Sequence, residues 1–516
     1  MTNRHIFIYI LFIWTFYSCK NENIYRVPVT GSKEQHRPEF HFTPDSMWMN
    51  DPNGMVYFDG EYHLFYQYFP DSIVWGPMHW GHAVSKDMIR WQQLPIALYP
   101  DSLGYIFSGS AVIDWKNTSG FGKDGSPPMV AIFTHHNIAG EKAGRSDFQY
   151  QSIAYSLDKG RSWTKYADNP VVPNPGNIKD FRDPKVIWHE DSHKWIMVLA
   201  ARDKVKLYSS PDLKKWSFES DFGIKNDARL WECPDLFPLK VEGNEEPKWV
   251  LIVSMQSGAP NKGTGTSYFI GYFDGHTFTC LDQKKSQHWL DYGTDNYAMV
   301  SWSDIPSSDG RRLALGWMSN WLYAQKVPTG SWRSAMTLPR ERSIIKTETG
   351  KYLLKSNIIR EFYSYRKDTI IINPSSISSD QYRLPLDQNG LYEINISFAR
   401  SEDLSFLLTS EHGDTLQVGY EAKTDIWFID RSKAGKSDFF EGFAAKHSAP
   451  CISESDTISM QIILDKASLE LIADGGLTNM TDIFFPGSDM TQVFLITQRG
   501  SKSVSDIVTH HIRHPE

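Results

Sequence analysis

The sequence has few cysteines and no long basic run. Its 516 residues contain four cysteines, and those beyond Cys19 are Cys233, Cys280 and Cys451. Three cysteines at irregular spacing form no disulfide framework and supply no metal-ligand pattern. The 53 basic and 61 acidic residues leave a net charge of −8, which argues against nucleic acid or an anionic membrane surface as the partner. A neutral ligand fits this balance better.

Long apolar runs are also scarce. The run Ile6–Phe16 is long enough for the core of a signal peptide but too short to cross a bilayer. It ends at Ser18-Cys19 and resembles a bacterial lipoprotein processing site, although Phe16 departs from the usual Leu. We expect residues 1–19 to be a lipoprotein-type signal peptide, with Cys19 lipidated and the protein held at the cell envelope, periplasmic or on the cell surface. An ordinary secretory peptide and a secreted soluble protein are the alternative.

Convincing helical periodicity is absent from most of the chain. After a polar tether at 20–38, residues 39–345 consist mainly of short alternating apolar runs separated by Gly, Asp, Asn and Pro. These are strand and turn signals, so the region is predicted to be all-β. A Ser-x-Asp turn recurs before Trp91, Trp163 and Trp216, which is typical of a repeated β-meander such as a propeller blade.

The pattern loosens in residues 346–366, which we predict to be a linker with a short helix. Period-two segments then resume in residues 367–516. Such alternation indicates a β-sandwich with one face of each sheet buried.

Three acidic sites are candidates for chemistry. Asp51 precedes Pro52 and an Asn-Gly turn, so its carboxylate is held on a stiff corner. Asp183 follows Arg182, and Glu232 follows a tryptophan. Apolar neighbours raise a carboxyl pKa and a guanidinium lowers one, so we expect Glu232 and Asp183 to have opposite protonation states at neutral pH. A carboxylic acid and a carboxylate together suit glycoside hydrolysis.

Each of these motifs also has an ordinary structural interpretation. Taken alone, the sequences around Asp51 and Asp183 are good β-turns, Arg182 is a surface ion pair and Glu232 is a salt-bridged core acid. Their joint order along the chain changes this balance. The stretches W-M-N-D-P-N-G at 48–54, F-R-D-P at 181–184 and W-E-C-P-D-L-F at 231–237 resemble the three active-site blocks of glycoside hydrolase family 32, the β-fructosidases. Further motifs match in order at 65–68, 79–82, 107–110 and 315–321.

The resemblance implies a fold and a set of roles. The fold would be all-β, with a five-bladed β-propeller catalytic domain at 39–345 followed by a C-terminal β-sandwich. Asp51 would be the nucleophile, Glu232 the acid and base, and Asp183 a carboxylate that stabilises the transition state. The residues implied to bind substrate are Trp48, Asn50, Gln67, Trp75, Ser110, Arg182 and Trp317. No metal and no cofactor is expected, because the histidines at 79, 82, 135 and 136 have no helical pair or third ligand.

The function implied is that of a retaining, exo-acting β-fructosidase, which releases fructose from the non-reducing end of levan or inulin and from sucrose. Retention requires the two reacting carboxyl groups to be about 5–5.5 Å apart. One alternative is a fructosyltransferase that uses the same covalent intermediate, and another is a non-catalytic fructan-binding lipoprotein. The expected partner is a fructan or sucrose, with membrane contact only through the lipid on Cys19.

Overall fold

The computed structural model describes residues 34–243, 246–282, 287–373, 380–386, 390–497 and 504–515. The predicted signal peptide, including Cys19, lies outside the described residues, as does the tether up to residue 33. The chain divides into a unit of residues 1–34 and a unit of residues 35–516, and the second contains all the helices and strands described here. Within the described residues, no helix is long and apolar enough to cross a membrane.

The first part of this unit is built from sheets in which consecutive strands pair antiparallel, so each sheet is a meander. The first sheet contains β1 (Met47–Phe58), β2 (Glu61–Phe69), β3 (His79–Ser85) and β4 (Trp91–Leu98). The second contains β5 (Tyr105–Ile113), β6 (Met129–His136), β7 (Gln149–Ser156) and β8 (Thr164–Lys165), with the short helix α1 (Ile138–Lys142) after β6. The third contains β9 (Phe181–His189), β10 (Lys194–Ala201), β11 (Lys204–Ser210) and β12 (Ser217–Gly223).

Two more sheets complete this part. The fourth contains β13 (Trp231–Lys240), β14 (Pro247–Met255), β15 (Gly265–Phe273), β16 (Phe278–Cys280) and β17 (His288–Trp289). The fifth contains β18 (Tyr297–Ser301), β19 (Arg312–Met318), β21 (Ala335–Met336), β22 (Arg340–Lys346) and β23 (Tyr352–Ile358). Strand β20 (Trp332–Arg333) belongs instead to the first sheet, where it pairs in parallel with β1.

The first strand of each sheet lies innermost, and these inner strands form a closed ring. Strand β1 contacts β5, β5 contacts β9, β9 contacts β13, β13 contacts β18, and β18 contacts β1. This arrangement is a five-bladed β-propeller, which confirms the predicted fold class. The pairing of β20 with β1 ties the last blade to the first.

The recurring turn predicted from the sequence is a real structural repeat. The indole N–H groups of Trp91, Trp163 and Trp216 each donate to the backbone carbonyl three residues earlier, at 3.0, 3.1 and 3.0 Å. All three turns join the third strand of a blade to its outer strand. Three of the blades therefore close with the same hairpin.

The rest of the chain forms two six-stranded sheets with a shared apolar core. Their strands are β24 (Arg366–Ile372), β25 (Gln381–Arg383), β26 (Tyr392–Ala399), β27 (Leu404–Ser410), β28 (Thr415–Glu421), β29 (Ile426–Lys433), β30 (Lys446–Pro450), β31 (Thr457–Asp465), β32 (Ser468–Ala473), β33 (Thr478–Ile483), β34 (Met490–Thr497) and β35 (Ile507–Ile512). The sheet orders are β24-β35-β26-β31-β32-β33 and β25-β34-β27-β28-β29-β30. This is the predicted β-sandwich.

The predicted linker at 346–366 contains regular structure. Strand β23 lies within it and pairs with β22, and a 3₁₀ helix follows at Arg360–Tyr365. The charged residues on either side of β23 conceal its short alternating pattern in the sequence. On this pairing we propose that the propeller domain extends to residue 358 and that the linker is confined to residues 359–366.

A buried cluster of charges joins the sandwich to the propeller. His41 lies between two carboxylates, with its Nδ1 2.7 Å from Asp465 Oδ2 and its Nε2 2.7 Å from Glu470 Oε1. Arg340 on β22 also donates to Glu470. Burial alone would lower the pKa of His41, but hydrogen bonds to the two carboxylates raise it to about 9. His41 is therefore positively charged at neutral pH. Its ion pairs with Asp465 and Glu470 of the sandwich hold the two domains together.

Candidate active site

A β-bulge occurs at the equivalent place on every inner strand of the propeller. In each, two successive residues face a single residue of the second strand. The bulged pairs are Asn50-Asp51, Phe107-Ser108, Asp183-Pro184, Cys233-Pro234 and Ala298-Met299. Bulges turn side chains out of the regular alternation, and prolines are tolerated there because no ladder hydrogen bond is lost. The repeat explains how neighbouring blades direct polar side chains to one place.

Three of these bulges hold a non-glycine residue in the left-handed region of backbone conformation. Asp183 has φ +64°, Cys233 has φ +43° and Ala298 has φ +53°. Side chains with a Cβ rarely adopt this conformation, and it persists where the surrounding structure enforces it. The backbone N–H of Cys233 donates to Asp183 Oδ2 at 3.1 Å. The strained backbone at Asp183 and Cys233 therefore accompanies a hydrogen bond between the third and fourth blades.

Asp51 is held from both of its oxygens. Ser108 Oγ donates to Oδ2 at 2.7 Å, and Asn50 Nδ2 donates to Oδ1 at 3.1 Å. The buried Trp48 orients Asn50 by donating its indole N–H to Asn50 Oδ1 at 2.7 Å. Burial and the charge of Glu232 raise the pKa of Asp51, and the hydrogen bonds from Ser108 and Asn50 partly offset the rise.

Glu232 accepts hydrogen bonds from three side chains. Its Oε1 accepts from Arg182 Nε at 3.1 Å, from Arg182 Nη2 at 2.8 Å and from Gln256 Nε2 at 3.1 Å. Its Oε2 accepts from the hydroxyl of the buried Tyr297 at 2.5 Å. Burial and the charge of Glu232 raise the pKa of Tyr297 well above its ordinary value, so Tyr297 keeps its proton at neutral pH. Both oxygens of Glu232 are fixed.

Asp183 completes a group of three carboxyl groups around one thiol. The Sγ of Cys233 lies 3.5 Å from Asp51 Oδ2 and 3.7 Å from Asp183 Oδ2. Burial raises the pKa of Asp183 to about 7, against the effect of Arg182 and with the help of the charges on Glu232 and Asp51. The thiol of Cys233 therefore contacts two of the three carboxyl groups, Asp51 and Asp183.

Arg182 lowers the pKa of Asp183, as expected from the sequence, but burial of the carboxyl group outweighs this effect. Arg182 directs two N–H groups at Glu232, and its Nε is 3.9 Å from Asp183 Oδ2. Its Nη1 donates to Asp180 Oδ1 at 2.7 Å. Arg182 is buried, so it is not a surface ion pair. Adjacency in sequence did not reveal the hydrogen bonds from Arg182 to Glu232, because Glu232 lies on another blade.

Comparison with known sequences decides the family. Residues 41–356 match the model of the Glycosyl hydrolases family 32 N-terminal domain, and residues 361–511 match that of the Glycosyl hydrolases family 32 C terminal. The chain belongs to glycosyl hydrolases family 32. It is therefore a glycoside hydrolase, and the resemblance seen in its motifs is confirmed.

Relatives of this family 32 chain match nearly all of it. It is 45% identical over 489 residues to Levanase of Bacillus subtilis (strain 168), covering 93% of this chain and 71% of that protein. The structure of exo-inulinase from Aspergillus awamori has a TM-score of 0.85 and 33% identity, over 93% of this chain and 99% of that chain. The structure of fructofuranosidase from Schwanniomyces occidentalis complexed with fructose has a TM-score of 0.84 and 31% identity, over 93% and 98%.

The predicted sugar-binding aromatic residues of the family 32 chain differ in their exposure. Trp48 and Trp317 are fully buried, and their rings meet edge-on at 6.1 Å. Trp321 stacks on Trp48 at 5.9 Å. Trp75 is half-buried and meets Phe107 edge-on at 6.1 Å. Trp75 is the predicted platform that remains open to solvent, whereas Trp48 and Trp317 lie in the core behind the site.

The predicted polar contacts are also placed. Gln67 lies opposite the Asn50-Asp51 bulge and donates its Nε2 to the carbonyl of Ile106 at 3.0 Å. Ser110 is buried, and its Oγ accepts from the backbone N–H of Val186 at 3.0 Å. Ser110 therefore contributes to packing between the second and third blades.

Three residues that contact the carboxyl groups were missed in the sequence. Gln256 follows β14 of the fourth blade and Tyr297 begins β18 of the fifth; both contact Glu232, and Ser108 contacts Asp51. The segments of Tyr297 and Gln256 carry no charged or repeated motif that would single them out, whereas Ser108 lies within the motif at 107–110. Ser108 stands two residues before the predicted Ser110, and the bulge repeat identifies it as the equivalent of Asp51.

Proposed function

We propose that this family 32 chain is a retaining, exo-acting β-fructosidase that releases fructose from the non-reducing end of fructans and from sucrose. The observation that carries the proposal is the convergence of Asp51, Asp183 and Glu232 from three blades around Cys233. Its relatives, which include a levanase, an exo-inulinase and a fructofuranosidase, favour a fructosyl substrate. An intact set of carboxyl groups favours an enzyme over a non-catalytic binding protein.

In the proposed first step, an oxygen of Asp51 attacks C2 of the terminal fructosyl unit. A C–O ester bond forms between Asp51 and C2 while the bond from C2 to the leaving oxygen breaks, and Glu232 gives its proton to that oxygen. In the second step, Glu232 removes a proton from water, the water oxygen attacks C2, and the ester bond to Asp51 breaks. Configuration at C2 is inverted twice and therefore retained.

The contacts of Glu232 indicate which oxygen carries the catalytic proton. Oε1 already faces three N–H donors, from Arg182 and Gln256, so a proton there would meet other hydrogens. Oε2 has only the Tyr297 hydroxyl as a partner among the described residues. A hydroxyl can occupy one lone pair of Oε2 and leave the other for the acidic proton. We assign Tyr297 as the positioning residue for the acid.

Asp183 is proposed to act on the transition state. Its raised pKa means that its negative charge is unfavourable in the empty site. Positive charge develops at the sugar ring when the glycosidic bond breaks, and that charge favours an ionised Asp183. An interaction that is stronger in the transition state than in the ground state accelerates the reaction.

The test is a product profile on sucrose, inulin and levan, with Asp51→Asn and Glu232→Gln as matched controls that keep side-chain size. We expect free fructose from the first time points and several orders of magnitude less from both variants. Longer oligomers from sucrose would indicate a fructosyltransferase, and internal fragments would contradict exo action. Binding of inulin without any product would support the non-catalytic alternative.

Location at the cell envelope through a lipid on Cys19 is a further part of the proposal. It rests on the sequence of residues 1–19 alone.

A further inference from the structure

An exposed aromatic residue lies at the mouth of the site, and the proposed chemistry makes no use of it. Each bulge lies near the start of its inner strand, so the loop that leads into that strand is at the same end of the propeller as the bulges. Because strand direction alternates within each blade, the loop between the second and third strands is also at this end. Among the described residues, these loops carry three large, exposed apolar side chains, namely Val74, Tyr99 and Leu322. Tyr99 is the aromatic one and is 55% exposed.

A single exposed aromatic residue is common on protein surfaces and needs no function. Tyr99, however, is linked to the aromatic residues that lie beside the carboxyl groups. Ser108 donates to Asp51, and the ring of the preceding residue, Phe107, meets Trp75 edge-on at 6.1 Å. This pair forms the wall of the site on the side of the first and second blades.

The wall extends outward through the loop before β3. The backbone N–H of Ile106 donates to the carbonyl of Met78 at 3.0 Å, which fixes the start of β5 against this loop. The ring of the next residue, His79, meets Tyr99 edge-on at 5.5 Å. Tyr99 is therefore linked, through His79 and the start of β5, to the segments that carry Trp75 and Phe107.

The loop that carries Tyr99 is held in place. Lys165 on β8 donates to the backbone carbonyl of Tyr99 at 2.5 Å and forms an ion pair with Asp101 at 2.5 Å. Asp101 and Gly104 exchange backbone hydrogen bonds at 3.2 and 3.1 Å. The charges of Lys165 and Asp101 are paired, and a surface that is fixed before binding loses little conformational entropy when a ligand arrives.

We propose that Tyr99 is a stacking platform for a fructosyl unit of the leaving chain beyond the unit next to the cleaved bond. An exposed ring presents a flat apolar face to the C–H groups of a sugar, and the paired charges around it suit a neutral chain. Sucrose ends before this position, so Tyr99 favours long fructans over sucrose. This inference rests on the proposed function and specifies its substrate class.

The experiment compares kcat/KM of full-length wild type and variants on sucrose and on fructo-oligosaccharides of increasing length. Tyr99→Ala should lower the value on long inulin or levan by about three- to tenfold, the size of one aromatic contact. Its value on sucrose should stay within about twofold of wild type. Tyr99→Phe keeps the ring and should match wild type on every substrate. Phe218→Ala, on the outer strand β12 and 54% exposed in the parent, is the matched control and should change nothing.

Several results would overturn the inference. These are an equal loss on sucrose and on long fructans, no loss at any length, the same loss from the Phe218 control, or a loss from Tyr99→Phe as large as that from Tyr99→Ala. Wild type that releases no fructose from sucrose or fructans would instead refute the proposed function itself. The two failures are therefore distinguishable.

Discussion

Replacing Asp183 by asparagine should stabilise the protein at neutral pH and abolish most of its activity. Burial raises the pKa of Asp183 to about 7, from an ordinary value of 3.8, in a site shared with the carboxyl groups of Asp51 and Glu232. Below pH 3.8 Asp183 is protonated in both the folded and the unfolded protein, so the contribution of its protonated form to the free energy of unfolding is fully present. As pH rises through about 7 this contribution is lost, because the unfolded chain releases the proton at a lower pH than the folded protein does.

The magnitude follows from the two pKa values. The difference is 7 − 3.8 = 3.2, and one pKa unit corresponds to 1.36 kcal/mol, which gives about 4 kcal/mol as an upper figure. Asparagine keeps an oxygen that can accept from the backbone N–H of Cys233, so that contact survives. We therefore expect the free energy of unfolding of Asp183→Asn to exceed that of wild type by about 2–4 kcal/mol at pH 8.

The assay is urea and thermal unfolding of both proteins from pH 4 to pH 8. Asp124→Asn, on an exposed turn of the second blade, is the control and should leave stability unchanged at every pH. The gain in Asp183→Asn should shrink toward zero as the pH falls to 4. A gain that is independent of pH, or a loss of stability at pH 8 in a correctly folded variant, would refute the reasoning.

Three further predictions follow from other contacts. Tyr297→Phe should lower kcat/KM on sucrose by about ten- to a hundredfold, since it removes the hydrogen bond that positions the carboxyl group of Glu232, and should cost less on a fructoside with a good leaving group; equal losses would contradict the positioning role. His41→Ala should destabilise the protein by about 3–5 kcal/mol at pH 6, because it leaves two buried carboxylates without their shared cation. In wild type the contribution of His41 is fully present below pH 6.5 and is lost as pH rises through about 9, so thermal midpoints of the two proteins should converge over that range. Cys19→Ala should release the protein from membranes or leave it unprocessed, and unchanged membrane association after correct processing would contradict the lipid anchor.

The sequence predicts the fold well because its signals are local. Alternating apolar runs and the turns closed by Trp91, Trp163 and Trp216 are features of single hairpins, and the structure repeats them blade by blade. The sequence-based linker includes strand β23 because charged residues border and interrupt its apolar pattern.

The electrostatics of the site could be predicted only in part, because they depend on contacts between blades. Asp51, Asp183 and Glu232 are recognisable from their motifs. Their partners Tyr297 and Gln256 are distant in sequence, and Arg182 donates to Glu232 on another blade. Predicting such contacts requires the folded chain.

Identification of the residue that carries the covalent intermediate tests the central claim most directly. The Glu232→Gln variant should still react with a fructoside that has a good leaving group, but its intermediate should hydrolyse slowly because the base is missing. After rapid acid quenching and proteolysis, mass spectrometry should find one fructosyl unit on the peptide that contains Asp51. A fructosyl unit on the peptide that contains Asp183, or none on any peptide while fructose is still released in a single step, would contradict the account.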